Sequence, residues 1–177
     1  MSQLKAFNLQ KWLGENRHLL KPPVGNKLIA DGEFKVMVVA GPNARTDYHV
    51  EEGEEWFYQL EGEMVLRVVD KGQFYDIPIS AGDVFCLPPK IPHSPQRKPQ
   101  SIGLVVERER RPGEVDALQW YCQNESCRNL LYRKEFFCKS LVDDLPPIIS
   151  DYYGDEDKRT CHKCGFIEGP PSKPPSQ

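Results

Sequence analysis

The 177-residue chain lacks several things that would assign it quickly. It has no run of eighteen apolar residues, so no helical membrane span is predicted. The opening stretch, Met1–Lys11, is polar and lacks the apolar stretch of a secretory signal, so a soluble cytoplasmic protein is expected. Net charge is −3, and the densest basic stretch is Arg108–Arg111, which gives little basis for neutralising nucleic-acid phosphates. Histidine is scarce, at four residues, and no internal repeat is found. Apolar and charged fractions of 39% and 28% are ordinary for a globular chain and exclude wholesale disorder.

What is present is organised in blocks. Asn8 can cap a helix over Leu9–Leu20 with Leu9, Trp12 and Leu13 on one face, stopped by Pro22-Pro23. From Leu28 the pattern changes to short β-type runs at Glu33–Ala40, Glu55–Leu60, Met64–Val69, Gln73–Ile79, Asp83–Leu87 and Ile102–Glu107. Gly41-Pro42, Glu61-Gly62, Lys71-Gly72 and Ala81-Gly82 punctuate them, which predicts a sandwich or barrel. The dense prolines at 88, 89, 92, 95 and 99 read as a rigid loop rather than a central strand. Beyond Glu107 comes a charged stretch, Arg108–Glu114, then a cysteine-bearing region, Gln119–Phe166. The expected organisation is a barrel over 1–112, an extension over 113–168 and a disordered tail over 169–177.

Two histidines and a glutamate stand out. His49 is placed in a loop after the first strand group, Glu55 opens a strand, and His93 lies in the proline-rich loop. Two imidazoles and one carboxylate on one face of a metal leave open positions, the arrangement of oxygen-using non-haem Fe(II) sites. Loop histidines are more commonly solvated side chains, so the spacing around them decides. Gly41, seven residues, His49, five residues, Glu55, six residues and Gly62 resemble the first signature of the cupin superfamily. Gly82, five residues, Pro88 and then His93 resemble the second. Where a second histidine is usual, this chain has Glu51, which is either a fourth ligand or, with Glu52 and Glu54 nearby, part of an exposed acidic loop.

Arg97, four residues past His93, could clamp a carboxylate bidentately. Arg45 precedes His49 by four residues, and Glu107 ends an apolar strand where it could accept from an amine. Each alone is commonly a solvated charge; together they describe a ligand with an acid and an amine.

The stretches Gly41 to His49, Glu54 to Gln59, Pro88 to Arg97 and Val105 to Arg108 resemble the short bacterial and fungal form of the 3-hydroxyanthranilate 3,4-dioxygenase family. The resemblance runs from about residue 4 to Phe166. It implies a mainly β cupin (jelly-roll) barrel with a short N-terminal helix and a rubredoxin-like extension. It implies Fe(II) on His49, Glu55 and His93, and ring opening of 3-hydroxyanthranilate by O2 to 2-amino-3-carboxymuconate semialdehyde, the precursor of quinolinate in the kynurenine pathway. Arg97, Glu107 and Glu55 would contact substrate, and Arg45 the O2 position. A homodimer is the family's usual assembly. Another small-molecule cupin dioxygenase would keep the metal triad but lack an Arg97 and Glu107 pair matched to such a ring; a non-catalytic ligand-binding cupin would use the sulfur site for protein contacts.

Of the six cysteines, four form two close pairs: Cys122-x4-Cys127 and, after 33 intervening residues, Cys161-x2-Cys164-Gly165. Ligand number and pairing suit a tetrahedral sulfur site holding iron or zinc in a structural role. The second pair has the form of a rubredoxin knuckle, whereas the four-residue spacing of the first predicts no standard knuckle. His162 is read as a bystander, and Cys86 and Cys138 as fillers of apolar space.

Overall fold

A computed structural model describes residues 5–20 and 25–170. The expected stop at Pro22-Pro23 and the tail from residue 171 onward lie outside the described residues. Helix α1 spans Leu9–Asn16, and Asn8 caps it by accepting from the Lys11 amide at 2.8 Å. It is shorter than the 9–20 expected. The Asn16 side chain donates to the Trp12 carbonyl at 2.9 Å, and the chain tightens into a 3-10 turn over Arg17–Leu19.

Among the described residues eleven strands follow: β1 Asn26–Asp31, β2 Phe34–Ala40, β3 Tyr48–Val50, β4 Glu55–Glu61, β5 Glu63–Asp70, β6 Gln73–Ser80, β7 Val84–Leu87, β8 His93–Arg97, β9 Ile102–Arg108, β10 Asp116–Tyr121 and β11 Leu130–Phe136. They form two sheets, in the orders β1-β2-β9-β4-β7 and β11-β10-β3-β8-β5-β6, and every pairing is antiparallel. This is the mainly β, two-sheet architecture expected of a cupin barrel. Met37, Phe57, Met64, Leu66, Val68, Ile79, Leu87 and Val105 form the core cluster. Each large apolar side chain so buried contributes about 1.5–3 kcal/mol. Leu13 and Leu20 cover a second cluster with Val38, Ala40 and Ile102 on the outside of the first sheet.

Three sequence expectations change here. His49 lies on β3, not in a loop, and β3 is short enough to have escaped the pattern. The proline-rich segment does contain a central strand: β8 runs between β3 and β5. Pro95 is tolerated because β3 pairs with β8 only through His49 and His93. Beyond that pair, Asn43 replaces a neighbouring strand: its side chain donates to the Pro95 carbonyl (2.9 Å) and accepts from the Arg97 amide (2.7 Å). The proline's missing donor faces that side, where no strand asks for it. Cys86 is exposed on the outer face of β7 rather than filling apolar space, and Cys138 is half-buried.

Strands β10 and β11 lie beyond residue 112, and β10 pairs with β3, so the second sheet continues into the expected extension. Helix α2 (Leu141–Gly154) then packs Leu145, Ile148, Ile149 and Tyr152 on Leu118 and Trp120, with the Tyr152 and Trp120 rings stacked 4.2 Å apart. Helix α3, Glu156–Arg159, is a single turn leading to Cys161. No helix among the described residues is long and apolar enough to cross a membrane.

Candidate active site and metal centres

The barrel interior assembles the candidate site from strand ends. His49 on β3 stands opposite His93 at the start of β8, with ring centroids 5.3 Å apart. Glu55 opens β4, and its Oε2 lies 2.8 Å from His93 Nε2. All three side chains are buried, and one donor atom from each lies within 4.8 Å of those of the other two. The alternation of β4 turns Glu55, Phe57 and Gln59 inward while Trp56 and Tyr58 face out.

Hydrogen bonds orient both rings. Asp116, the first residue of β10, lies with Oδ2 2.7 Å from His49 Nε2, and His93 Nδ1 lies 3.0 Å from the Ile91 carbonyl. These contacts leave Nδ1 of His49 and Nε2 of His93 as the ring nitrogens available to a ligand, a supporting arrangement typical of metal-bound histidines. Burial lowers the His49 pKa, opposed by its bond to Asp116, so the ring favours the neutral form that binds metals. Burial opposes ionisation of Glu55, but His93, aided by His49 and Arg110, holds the carboxyl below its ordinary value. Two buried imidazoles and a carboxylate fit a divalent ion of the borderline class.

Charged groups surround this set. Arg97 is 5% exposed, and its Nη1 has no hydrogen-bond partner among the described residues. Burial pulls its guanidinium down to about 10, still charged at neutral pH. A buried cation with an unused donor is costly unless a ligand supplies the partner. Arg45, in the loop before β3, is paired with Asp47. Glu107 lies directly across from Glu55 in the β4–β9 register. Burial, and then the nearby Glu55 charge, push Glu107 up to about 7, against the pull of Arg110. A cavity of about 390 Å³ opens beside Glu107 and Arg110 and is rimmed by Cys138–Val142; His49, Glu55, His93 and Arg97 are not among its lining residues.

Arg110, Asp116 and Asn43 were missed from the sequence. Arg110 contacts Glu51 (3.0 Å), Glu107 (2.8 Å) and Asp116 (2.7 Å) and is the cation that offsets this acidic cluster. Its only sequence signal was a place inside the charged Arg108–Glu114 stretch. Glu51 corrects the exposed-loop expectation: it is 3% exposed, and burial together with Glu55 pushes it up to about 10. It groups with Glu55 and Glu107 rather than with the two histidines.

Far along β10 from Asp116, the four cysteines meet. The sulfurs of Cys122 and Cys164 lie 3.6 Å apart and those of Cys127 and Cys161 3.7 Å apart, with all four within 4.8 Å of one another. Such spacing fits a tetrahedral thiolate site. Burial opposes ionisation of Cys161, but the backbone N–H groups of Cys164 and Lys163 bring it down to about 6. His162 is exposed and lies outside the cluster.

A family profile described as 3-hydroxyanthranilic acid dioxygenase matches residues 1–153. A protein of Xanthomonas euvesicatoria pv. vesicatoria (strain 85-10) named 3-hydroxyanthranilate 3,4-dioxygenase is 57% identical over 96% of this chain and 96% of its own. One of the same name from Jannaschia sp. (strain CCS1) is 52% identical over 99% of this chain and 97% of its own. With the profile spanning most of the sequence, the chain belongs to the 3-hydroxyanthranilic acid dioxygenase family.

Proposed function

We propose that the protein is a non-haem Fe(II) dioxygenase that opens the ring of 3-hydroxyanthranilate with O2, giving 2-amino-3-carboxymuconate semialdehyde, the precursor of quinolinate. The observation that carries this reading is the buried His49, Glu55 and His93 set beside Arg97, whose Nη1 is unpartnered. Ferrous iron bound there would supply the positions for substrate and O2 and the electron path between them.

The chain's own groups do the rest. Arg97 takes the substrate carboxylate and so fixes which ring edge meets the metal. Glu107 and Glu55 receive the amine and hydroxyl region; Glu107, poised near neutrality, can hold or release a proton there. Arg45, half-shielded beside Asp47, would supply positive charge at the O2 position. Asp116 keeps the His49 ring in place through Nε2.

Cys122, Cys127, Cys161 and Cys164 hold a second, structural metal, iron or zinc, in the segment 113–168. The protein works as a homodimer in the cytoplasm. Support for a dimer comes from the outer face of the first sheet, where Phe34 and Val84 are exposed beside Trp56 and Val106.

Anaerobic loading with Fe(II), then 3-hydroxyanthranilate and 18O2, tests the reaction. Both oxygen atoms should enter a product with a new near-ultraviolet band. Substrate consumed with no label in the new carboxylate rules the reaction out, the aldehyde oxygen being exchangeable with water. His93→Ala should lose iron and turnover together.

A further inference from the structure

The Cys122-x4-Cys127 pair has the wrong spacing for a knuckle, yet the turn is built. In the second pair, the Cys161 carbonyl accepts from the amides of Cys164 (3.3 Å) and Gly165 (2.7 Å), and Gly165 is left-handed at φ +75°. The first pair repeats this pattern from a different starting residue. The Asn124 carbonyl accepts from the amides of Cys127 (2.8 Å) and Arg128 (3.0 Å), and Arg128 is left-handed at φ +49°. Asn124 thus occupies the place Cys161 holds in the other turn. The Asn124 side chain braces the same turn, its Oδ1 accepting from the Ser126 amide at 3.1 Å. Cys122 reaches the cluster from two residues upstream, at the end of β10, where its amide donates to the Asn129 carbonyl at 2.8 Å and closes the loop. Asn124 also points its amide at the cluster, with Nδ2 donating to Cys164 Sγ at 3.8 Å.

We propose that Asn124 is a working part of the sulfur site. It fills the first-cysteine position of a metal knuckle, shapes the turn with its amide oxygen and donates to the Cys164 sulfur, while Cys122 supplies the displaced fourth thiolate. The inference rests on the reading that these cysteines hold a metal. Four thiolates around a divalent ion leave an excess of negative charge, which a nearby N–H donor offsets without becoming a ligand. Arg128, whose left-handed backbone completes the turn, stacks its guanidinium 5.2 Å from the Phe74 ring of β6, so the turn is anchored to the barrel.

Anaerobic Co(II) titration of the full-length protein tests this, because sulfur-to-cobalt absorption reports thiolate ligands and not the His49, Glu55 and His93 set. Cys122→Ser should lose about a quarter of that band's intensity. The double variant Cys122→Ser/Asn124→Cys, now with a two-residue spacing, should recover the full band with affinity within about tenfold of the unaltered protein. Asn124→Ala should retain four thiolates and bind Co(II) roughly tenfold more weakly. A double variant no better than Cys122→Ser overturns the inference. Should that variant not fold, alkylation mapping of metal-loaded Asn124→Cys decides: a protected Cys at 124 supports the proposal, and one alkylated as readily as without metal refutes it. No sulfur band in the unaltered protein sinks the metal reading as well, whereas a band there without rescue sinks only the role given to Asn124.

Discussion

Arg97 and Asp116 show two opposite ways of keeping a charge inside a protein. Arg97 is buried with a donor unused, so its stabilisation waits on a ligand. Arg97→Ala should therefore act mainly on substrate binding, raising KM by a factor equivalent to about 2–5 kcal/mol, as steady-state kinetics would read it. A KM unchanged in that variant would remove the carboxylate from this position. Asp116 is satisfied already. Burial works against its charge, but hydrogen bonds from His49 and Arg110 hold its carboxyl down to about 2. A folded pKa below the unfolded value means stability that is present above about pH 4 and lost as pH falls towards 2. In metal-free protein, Asp116→Asn should reduce the fall in urea-measured stability between pH 5 and 3, by about 1–2 kcal/mol at most. An acid slope identical to that of the unaltered protein would separate Asp116 from this coupling.

At the scale of elements, β8 matters most, because it carries His93 at one end and Arg97 at the other. Its inner edge is held by one residue pair with β3 and then by the Asn43 side chain. Asn43→Ala removes two hydrogen bonds from partly buried partners and should cost about 1–3 kcal/mol in thermal or urea unfolding. Because one of those bonds fixes the Arg97 main chain, KM should rise in the same variant, while iron content on His93 stays near normal. Lost stability with unaltered KM would make Asn43 a purely structural residue. β8 also explains why sequence reasoning failed locally. Proline density argues against a central strand only when both edges need donors, and which edge Pro95 leaves unpaired depends on a residue 52 positions upstream.

Over the whole molecule, β10 joins the two centres: Asp116 at its start supports His49, and Cys122 follows its end. Trp120 between them is fully buried against Tyr152 of α2. Removing the sulfur-site metal with a chelator should therefore lower the thermal midpoint, each kcal/mol lost appearing as about 2–4 °C, and added Zn(II) or Fe(II) should restore it. A midpoint indifferent to chelation would mean that the four thiols stabilise the fold without metal. Assembly is testable at the same scale. Light scattering should give twice the 20.3 kDa chain mass, and Val84→Lys on the exposed sheet face should shift it to one. A monomer for the unaltered chain at micromolar concentration would remove the dimer.

The sequence by itself was enough for six of the strands, the Asn8 cap, the clustering of His49, Glu55 and His93 and the two cysteine pairs, because each leaves a local mark: alternation, a capping side chain or a fixed spacing from neighbouring glycines or between cysteines. The N-terminal helix and the six strands were legible within a few residues of their ends. Helix α2 was not, since Pro146 and Pro147 mask a periodicity that only its packing on Trp120 makes worthwhile. Tertiary structure alone decided that Glu51 is buried, that Arg110 joins three carboxylates, that Asp116 supports His49 and that the Asn124 carbonyl closes the turn before Cys127. These contacts bring together residues far apart in the chain or turned by backbone geometry, and side-chain burial and hydrogen-bond reach, which set their chemistry, are properties of the folded neighbourhood rather than of residue spacing.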